Sequence, residues 1–144
     1  MLDAHWQVDT RSVLLLVQAY ARLRAALPPR TPGGRVVLMT SGQDIACGMP
    51  GEIAQVLQKG APASVTRSLS TTLAEQAVTV NAVNPCPVDT DYLTGEDYEA
   101  VAAHFPAGRW GMPDEPVRLI AWLATDEADR VTGQVVDSEG GFRR

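Results

Sequence analysis

The stretch Arg35-Val36-Val37-Leu38-Met39-Thr40-Ser41 is short, apolar and free of polar alternation. A strand with one wet face alternates apolar and polar residues, whereas a strand covered on both faces does not. This stretch therefore reads as a buried strand of a parallel sheet. Val78-Thr79-Val80-Asn81-Ala82-Val83-Asn84 reads as a second strand and Gln134-Val135-Val136-Asp137 as a third. Between the first two lies a helical stretch over 51–76. Between the second and third lie a loop, a short helix over 96–104 and a helix over 114–125. Ahead of the first strand, residues 2–27 read as one long helix, apolar at Leu2, Trp6, Val13, Leu16, Val17, Tyr20, Leu23 and Leu27. Arg22 and Arg24 stand near its end, where cations suit the helix dipole. The run Val13 to Val17 is apolar all round, which predicts burial on more than one side. Pro28, Pro29, Pro32, Gly33 and Gly34 end the helix. Strands joined by helical crossovers predict an α/β sandwich with a short parallel sheet of about three strands flanked by helices, one domain over 1–144.

Composition narrows the function classes. The chain has 144 residues, 45% hydrophobic and 20% charged, which is the make-up of a globular domain. Twelve Lys and Arg against 17 Asp and Glu leave a net charge of −5, so no electrostatic footprint for nucleic acid or an anionic membrane surface is expected. The longest apolar run, Leu119 to Ala124, is too short to span a bilayer. Asp3 and His5 precede the first apolar run, which does not resemble a secretory leader. Cys47 and Cys86 fit neither a disulfide framework nor a zinc spacing, and His5 and His104 are far apart, so no metal is expected. These features point to a soluble, cytoplasmic domain.

Five segments in order carry a resemblance. They are Thr40-Ser41-Gly42 after a strand, a helix with Lys59 and Thr66-Arg67-Ser68-Leu69, and Val78 to Pro85. Arg109-Trp110-Gly111-Met112-Pro113 follows, then Thr132-Gly133-Gln134-Val135 with Glu139-Gly140-Gly141. Together they resemble the second half of a short-chain dehydrogenase/reductase, from the family's fourth helix onward. The resemblance implies a partial Rossmann-like fold. That family holds the dinucleotide pyrophosphate on a glycine-rich turn at a helix N-terminus. Here Gly33-Gly34 precedes a strand and Gly140-Gly141 sits near the end, so the expectation is no bound cofactor.

The family's chemistry uses an asparagine, a serine, a tyrosine and a lysine, the tyrosine protonating the carbonyl oxygen during hydride addition. By resemblance, Asp9 falls at the asparagine, Ser41 at the serine, Gln55 at the tyrosine and Lys59 at the lysine. An amide offers no dissociable proton near neutral pH, so the acid is lost. Pro62 interrupts the helix three residues after Lys59, a cost of ~3 kcal/mol or a kink that would turn Lys59 aside. Cys86 replaces the glycine of the family's Pro-Gly loop beside the nicotinamide, where a side chain intrudes.

The pocket residues expected to act are therefore Ser41 as a hydrogen-bond donor to substrate oxygen, Asp9 or Glu52 as acid/base, and Lys59 as electrostatic tuner. Asp9 is expected to face Lys59, because the family brings these positions together. Glu52, Gln55 and Lys59 share one helix face, which reads equally as surface pairing or as an acid/base face desolvated in the pocket. Asp44 flanks the same loop. Gln55, Cys86, His104 and Trp110 are assigned to substrate contact, although Cys86 also reads as a small passive hydrophobe. Trp6, Trp110 and Trp122 read equally as core or helix-interface anchors.

The expected function is cofactor-independent, non-redox chemistry on a carbonyl-bearing small molecule: isomerisation, cyclisation or dehydration. The alternatives are a pseudoenzyme that binds a reductase partner, and a fragment of an NAD(P)-dependent oxidoreductase. Without a neighbour, the first strand would be an exposed apolar edge. A homodimer or higher homo-oligomer through the long helix and the helix after Gly51 is therefore expected. The other ways to cover the edge are repacking of the chain or a separate N-terminal polypeptide.

Overall fold

The computed structural model describes residues 2–28, 31–45 and 47–143; Pro29 lies outside them. The first helix is continuous but not uniform. It runs as α1 (Leu2–His5), a π-helical turn (Trp6–Arg11) and α2 (Ser12–Ala25). The wide turn is marked by the Ser12 amide, which donates to the Gln7 carbonyl five residues back. Then come β1 (Gly34–Met39), α3 (Ile53–Leu73), β2 (Val78–Asn84), α4 (Gly95–Ala102), α5 (Asp114–Leu123) and β3 (Val135–Asp137). The sheet is parallel throughout, in the order β1-β2-β3, with Gly34 opposite Val78 and Ala82 opposite Val135.

β2 is buried at every residue, as the central strand of a sheet covered on both faces must be. On one face Val17 of α2 and Leu73 of α3 pack on Leu38, Val78, Val80 and Ala82. On the other, Leu123 of α5 and Ala128 pack on Val83, with Val37 alongside. Arg35 pins this second face through ion pairs to Asp126 and Asp129. A third cluster, Ala102, Phe105 and Trp110, closes the loop side after β2. This is the three-layer α/β sandwich expected from the sequence.

Two asparagines stitch β3 to β2, where the third strand is too short to do so alone. Asn81 donates to the Val131 carbonyl at 2.8 Å and accepts from the Gln134 amide at 3.1 Å. Asn84 donates to Asp137 at 2.9 Å and Glu139 at 2.6 Å, and accepts from the Cys86 amide at 3.0 Å.

The expected burial of Val13 to Val17 on several sides is corrected. Only Val17 is fully buried; Leu14 and Leu15 are exposed and Leu16 is 69% exposed. A helix on the outer layer of a three-stranded sheet has only one sheet face to bury against, and nothing described here covers its flank.

Candidate functional site

β1 ends at the site, and Thr40 and Ser41 follow it. The Thr40 amide still donates to Val83 at 2.9 Å, so the chain leaves the sheet only after this residue. The Thr40 hydroxyl donates to the Lys59 carbonyl at 2.8 Å and accepts from the Gln43 amide nitrogen at 3.1 Å. Gln43 also accepts the Ser41 N–H at 3.2 Å. The Ser41 hydroxyl is half-buried and contacts the Met49 sulfur at 3.4 Å. Its oxygen is thus held beside the segment that leads into α3.

Pro62 does not turn Lys59 aside. α3 runs through it as one helix, with Pro62 buried inside. A proline ring cannot donate to the carbonyl four residues back, here that of Gln58. That carbonyl accepts the hydroxyl of Thr10, which is 1% exposed in the π-helical turn, at 3.3 Å. The next carbonyl, of Lys59, receives Thr40. Two threonine hydroxyls therefore serve successive carbonyls of the proline-weakened turn and tie the first helix and the end of β1 to it.

The same turn brings Asp9 and Lys59 together. Lys59 Nζ lies 3.0 Å from Asp9 Oδ1, with side chains about a quarter exposed (27% and 25%). His5 Nδ1 stands 3.8 Å from the other Asp9 oxygen. Charge and proton-bearing groups thus line up as His5, Asp9 and Lys59 across two helices.

The remaining assignments separate from this pair. Glu52 is exposed where α3 begins and makes no side-chain cap, so the desolvation that its acid/base role requires is absent. Asp44 is exposed and accepts from Gln43 at 3.1 Å. Gln55 is half-buried, one turn before Lys59 on α3. Trp110 is 2% exposed, donates its indole N–H to the Tyr98 carbonyl at 3.0 Å and stacks on Tyr98 at 5.1 Å. It is a core anchor, and its assignment to substrate contact is corrected: no face is free. His104 is exposed and meets the Arg143 carbonyl and the Phe142 ring, holding the last described residues in place. Cys86 sits in left-handed backbone at φ 65° and packs against the Trp110 cluster. Only glycine takes that conformation without strain. Sequence reasoning missed Thr10, Thr40 and Gln43; a proline inside a helix was the available signal that some donor must replace its missing N–H.

Arg109-Trp110-Gly111-Met112-Pro113 prepares the start of α5. Glu115 accepts from Arg109 at 2.7 and 3.1 Å and from the Met112 amide at 2.7 Å. The Arg109 hydrogen bonds first, and the Met112 amide second, lower the Glu115 carboxyl from 4.5 to about 2.

The family model described as enoyl-(acyl carrier protein) reductase matches residues 2–143. The chain belongs to the short-chain dehydrogenase/reductase family. It is 47% identical over 143 residues to YjdA, an uncharacterized oxidoreductase of Bacillus subtilis (strain 168), covering 99% of this chain and 56% of that relative. It is 35% identical over 112 residues to the 3-oxoacyl-(acyl-carrier-protein) reductase FabG of Rickettsia felis, covering 76% and 46%. Among solved structures, an acetoin dehydrogenase from Salmonella typhimurium superposes with a TM-score of 0.82 at 28% identity, covering 98% of this chain and 54% of that one. A doubly substituted short-chain dehydrogenase/reductase of Serratia marcescens gives 0.85 at 29%, covering 99% and 57%. The chain spans about half the length of the curated relatives it matches.

The family implies a nicotinamide dinucleotide, and the described residues do not by themselves fit one. Gly33-Gly34 leads into β1 rather than a helix, and a Cβ at Gly34 would stand 2.0 Å from the Tyr20 hydroxyl. That glycine makes room for a tyrosine, not a pyrophosphate. Gly140 and Gly141 precede no helix among the described residues. Among the described residues, no helix is long and apolar enough to cross a membrane.

Proposed function

We propose that the chain forms the substrate side of an oxidoreductase unit acting on a small carbonyl- or hydroxyl-bearing molecule in the cytoplasm, with any dinucleotide held by residues beyond those described. The observation that carries this reading is the placement of Ser41 at the end of β1 and of Lys59 against Asp9. It is supported by relatives whose names are those of reductases and dehydrogenases. Ser41 donates to the substrate oxygen, and the Asp9–Lys59 pair supplies fixed charge beside it. Gln55, lacking a dissociable proton, makes the unit a slow one. A second copy packs on the apolar face formed by Leu2, Trp6, Ile53 and Leu57, all exposed.

The test is the chain fused behind the part of the Bacillus relative that it leaves uncovered, assayed for NAD(P)H oxidation with short ketones and diketones. Restoring an acid with Gln55→Tyr should raise turnover by roughly 10²–10⁴-fold. No turnover in either form, with the fusion folded, would reject the reading.

One observation favours a second reading, non-redox acid/base chemistry without cofactor. Asp9 carries a carboxylate where the family's pattern has an amide, and it faces an ammonium at 3.0 Å. In that case isomerisation or dehydration of a carbonyl compound by the chain alone is lost in Asp9→Asn together with Ser41→Ala, and Gln55→Tyr changes nothing.

A further inference from the structure

Arg24 stands in the last turn of α2 and straps two segments together at the N-terminal end of the sheet. Its Nη1 donates to the Pro32 carbonyl at 2.9 Å and its Nη2 to the Gln76 carbonyl at 3.0 Å. Both acceptors are neutral, and among the described residues no carboxylate pairs with this guanidinium. Its remaining donor, the Nε–H, is buried and meets no acceptor. Gln76 lies in the short turn Ala74–Gln76 that leads from α3 into β2, and its side-chain oxygen is likewise buried without a donor. Buried polar atoms are almost always paired, so two orphans side by side call for an explanation. They belong to one hollow of about 310 Å³. Its lining combines the polar Arg24, Glu75 and Gln76 with the apolar Ala25, Leu27 and Pro28. Glu75 is exposed and enters no ion pair among the described residues. The hollow thus presents a cationic donor without an anion, and an amide oxygen and a carboxylate without donors. It lies at the opposite end of the sheet from Ser41, which follows the end of β1.

We propose that this hollow binds a free α-amino acid with an apolar side chain. The ligand carboxylate accepts from the Arg24 Nε–H, a charge-assisted bond to a guanidinium whose other nitrogens are already spent. The ligand ammonium donates to the Gln76 oxygen and lies against the Glu75 carboxylate. The ligand side chain covers the exposed Leu27. A plain anion would satisfy Arg24 but face the Glu75 charge and leave the Gln76 oxygen orphaned, and a plain amine would do the reverse. A ligand that carries both charges answers all three groups. The volume is at the small end of the range for ligand pockets, which suits a single amino acid rather than a peptide. Both orphaned atoms lie beneath the lining, so binding includes rotation of the Gln76 side chain, whose oxygen no bond holds. The site is independent of the chemistry read at Ser41 and Lys59.

The test is titration calorimetry of the 144-residue chain with free leucine, valine, methionine and phenylalanine, alongside the NMR signals of the Arg24 Nε–H and the Gln76 side-chain amide. At least one of the four should bind saturably at millimolar concentration or below and shift both signals. The analogues of that amino acid lacking the ammonium or the carboxylate (isocaproate and isopentylamine in the case of leucine) should each bind at least ~tenfold more weakly. Gln76→Met keeps the length of the side chain and removes an oxygen that bonds to nothing. Its melting temperature should therefore hold or rise while its affinity falls at least ~tenfold. No saturable binding by any of the four would overturn the proposal and assign the two atoms to ordered water. Equal binding of the carboxylate analogue would overturn it in favour of a plain anion site, and undiminished affinity in Gln76→Met would overturn it as well.

Discussion

The hydroxyl of Thr10 donates to the main-chain carbonyl of Gln58, the carbonyl that Pro62 leaves without its helical donor. A local defect in α3 has thereby become a tertiary bond between the first helix and the helix that carries Lys59. Replacing Thr10 with valine keeps the volume and strands a buried acceptor, which should cost about 1–2 kcal/mol. In a Pro62→Ala background residue 62 regains its N–H, and the same change should cost well under half as much. Urea unfolding of the four proteins measures the coupling; equal costs in both backgrounds would refute this account.

Asn84 has every polar group engaged in a buried position, donating to two carboxylates and accepting from Cys86. Asn84→Ala should destabilise by roughly 2–3 kcal/mol through the groups left unpaired. Asn84→Asp should be worse at neutral pH, since it sets a third carboxylate against Asp137 and Glu139. That excess should shrink as the pH falls and the introduced carboxylate is neutralised. Thermal melts of both variants at pH 7 and 4.5 distinguish the two effects.

Cys86 holds left-handed backbone in the turn that Asn84 caps. Cys86→Gly should stabilise the fold by about 1 kcal/mol by relieving the crowding between Cβ and the following carbonyl. Cys86→Ala, which keeps the Cβ, should not. Gly133 is the converse case, at φ +72° with a Cβ position 2.7 Å from the Ser70 hydroxyl oxygen. Gly133→Ala should destabilise by roughly 1–3 kcal/mol, and removing the hydroxyl with Ser70→Ala should recover only the steric part. Chemical denaturation of the single and double variants reads both.

Glu115 gives the pH dependence a sign. Its carboxyl is lower in the folded chain, about 2 against 4.5, so the folded state favours the ionised form. The stability it contributes is complete above about pH 4.5 and is lost as the pH falls toward 2. Glu115→Gln should flatten the fall in melting temperature across that window, and Arg109→Met should flatten it nearly as much. An unchanged acid limb in both variants would assign the loss to other carboxylates.

The sequence by itself determined the order and kind of the elements. The apolar, non-alternating run at 35–41 reads as a doubly covered strand and 78–84 as a second strand, and the family resemblance placed Ser41 at the end of the first, Lys59 on the helix between them and Asp9 on the first helix. It also determined that Gln55 offers no acid, because that is a property of the side chain. The tertiary structure decided what depends on the space between elements. Trp110 became core because Tyr98 and the loop after β2 close over it. Glu52 stayed in solvent because α3 begins clear of the sheet. Pro62, which read in isolation as a kink, became harmless because the Thr10 hydroxyl, 48 residues before Gln58, replaces the donor that the Gln58 carbonyl lacks. Periodicity and residue chemistry act over a few neighbours, so they are written in the sequence. Burial and the pairing of distant polar groups depend on what other segments bring to the same place, and only the folded chain fixes that.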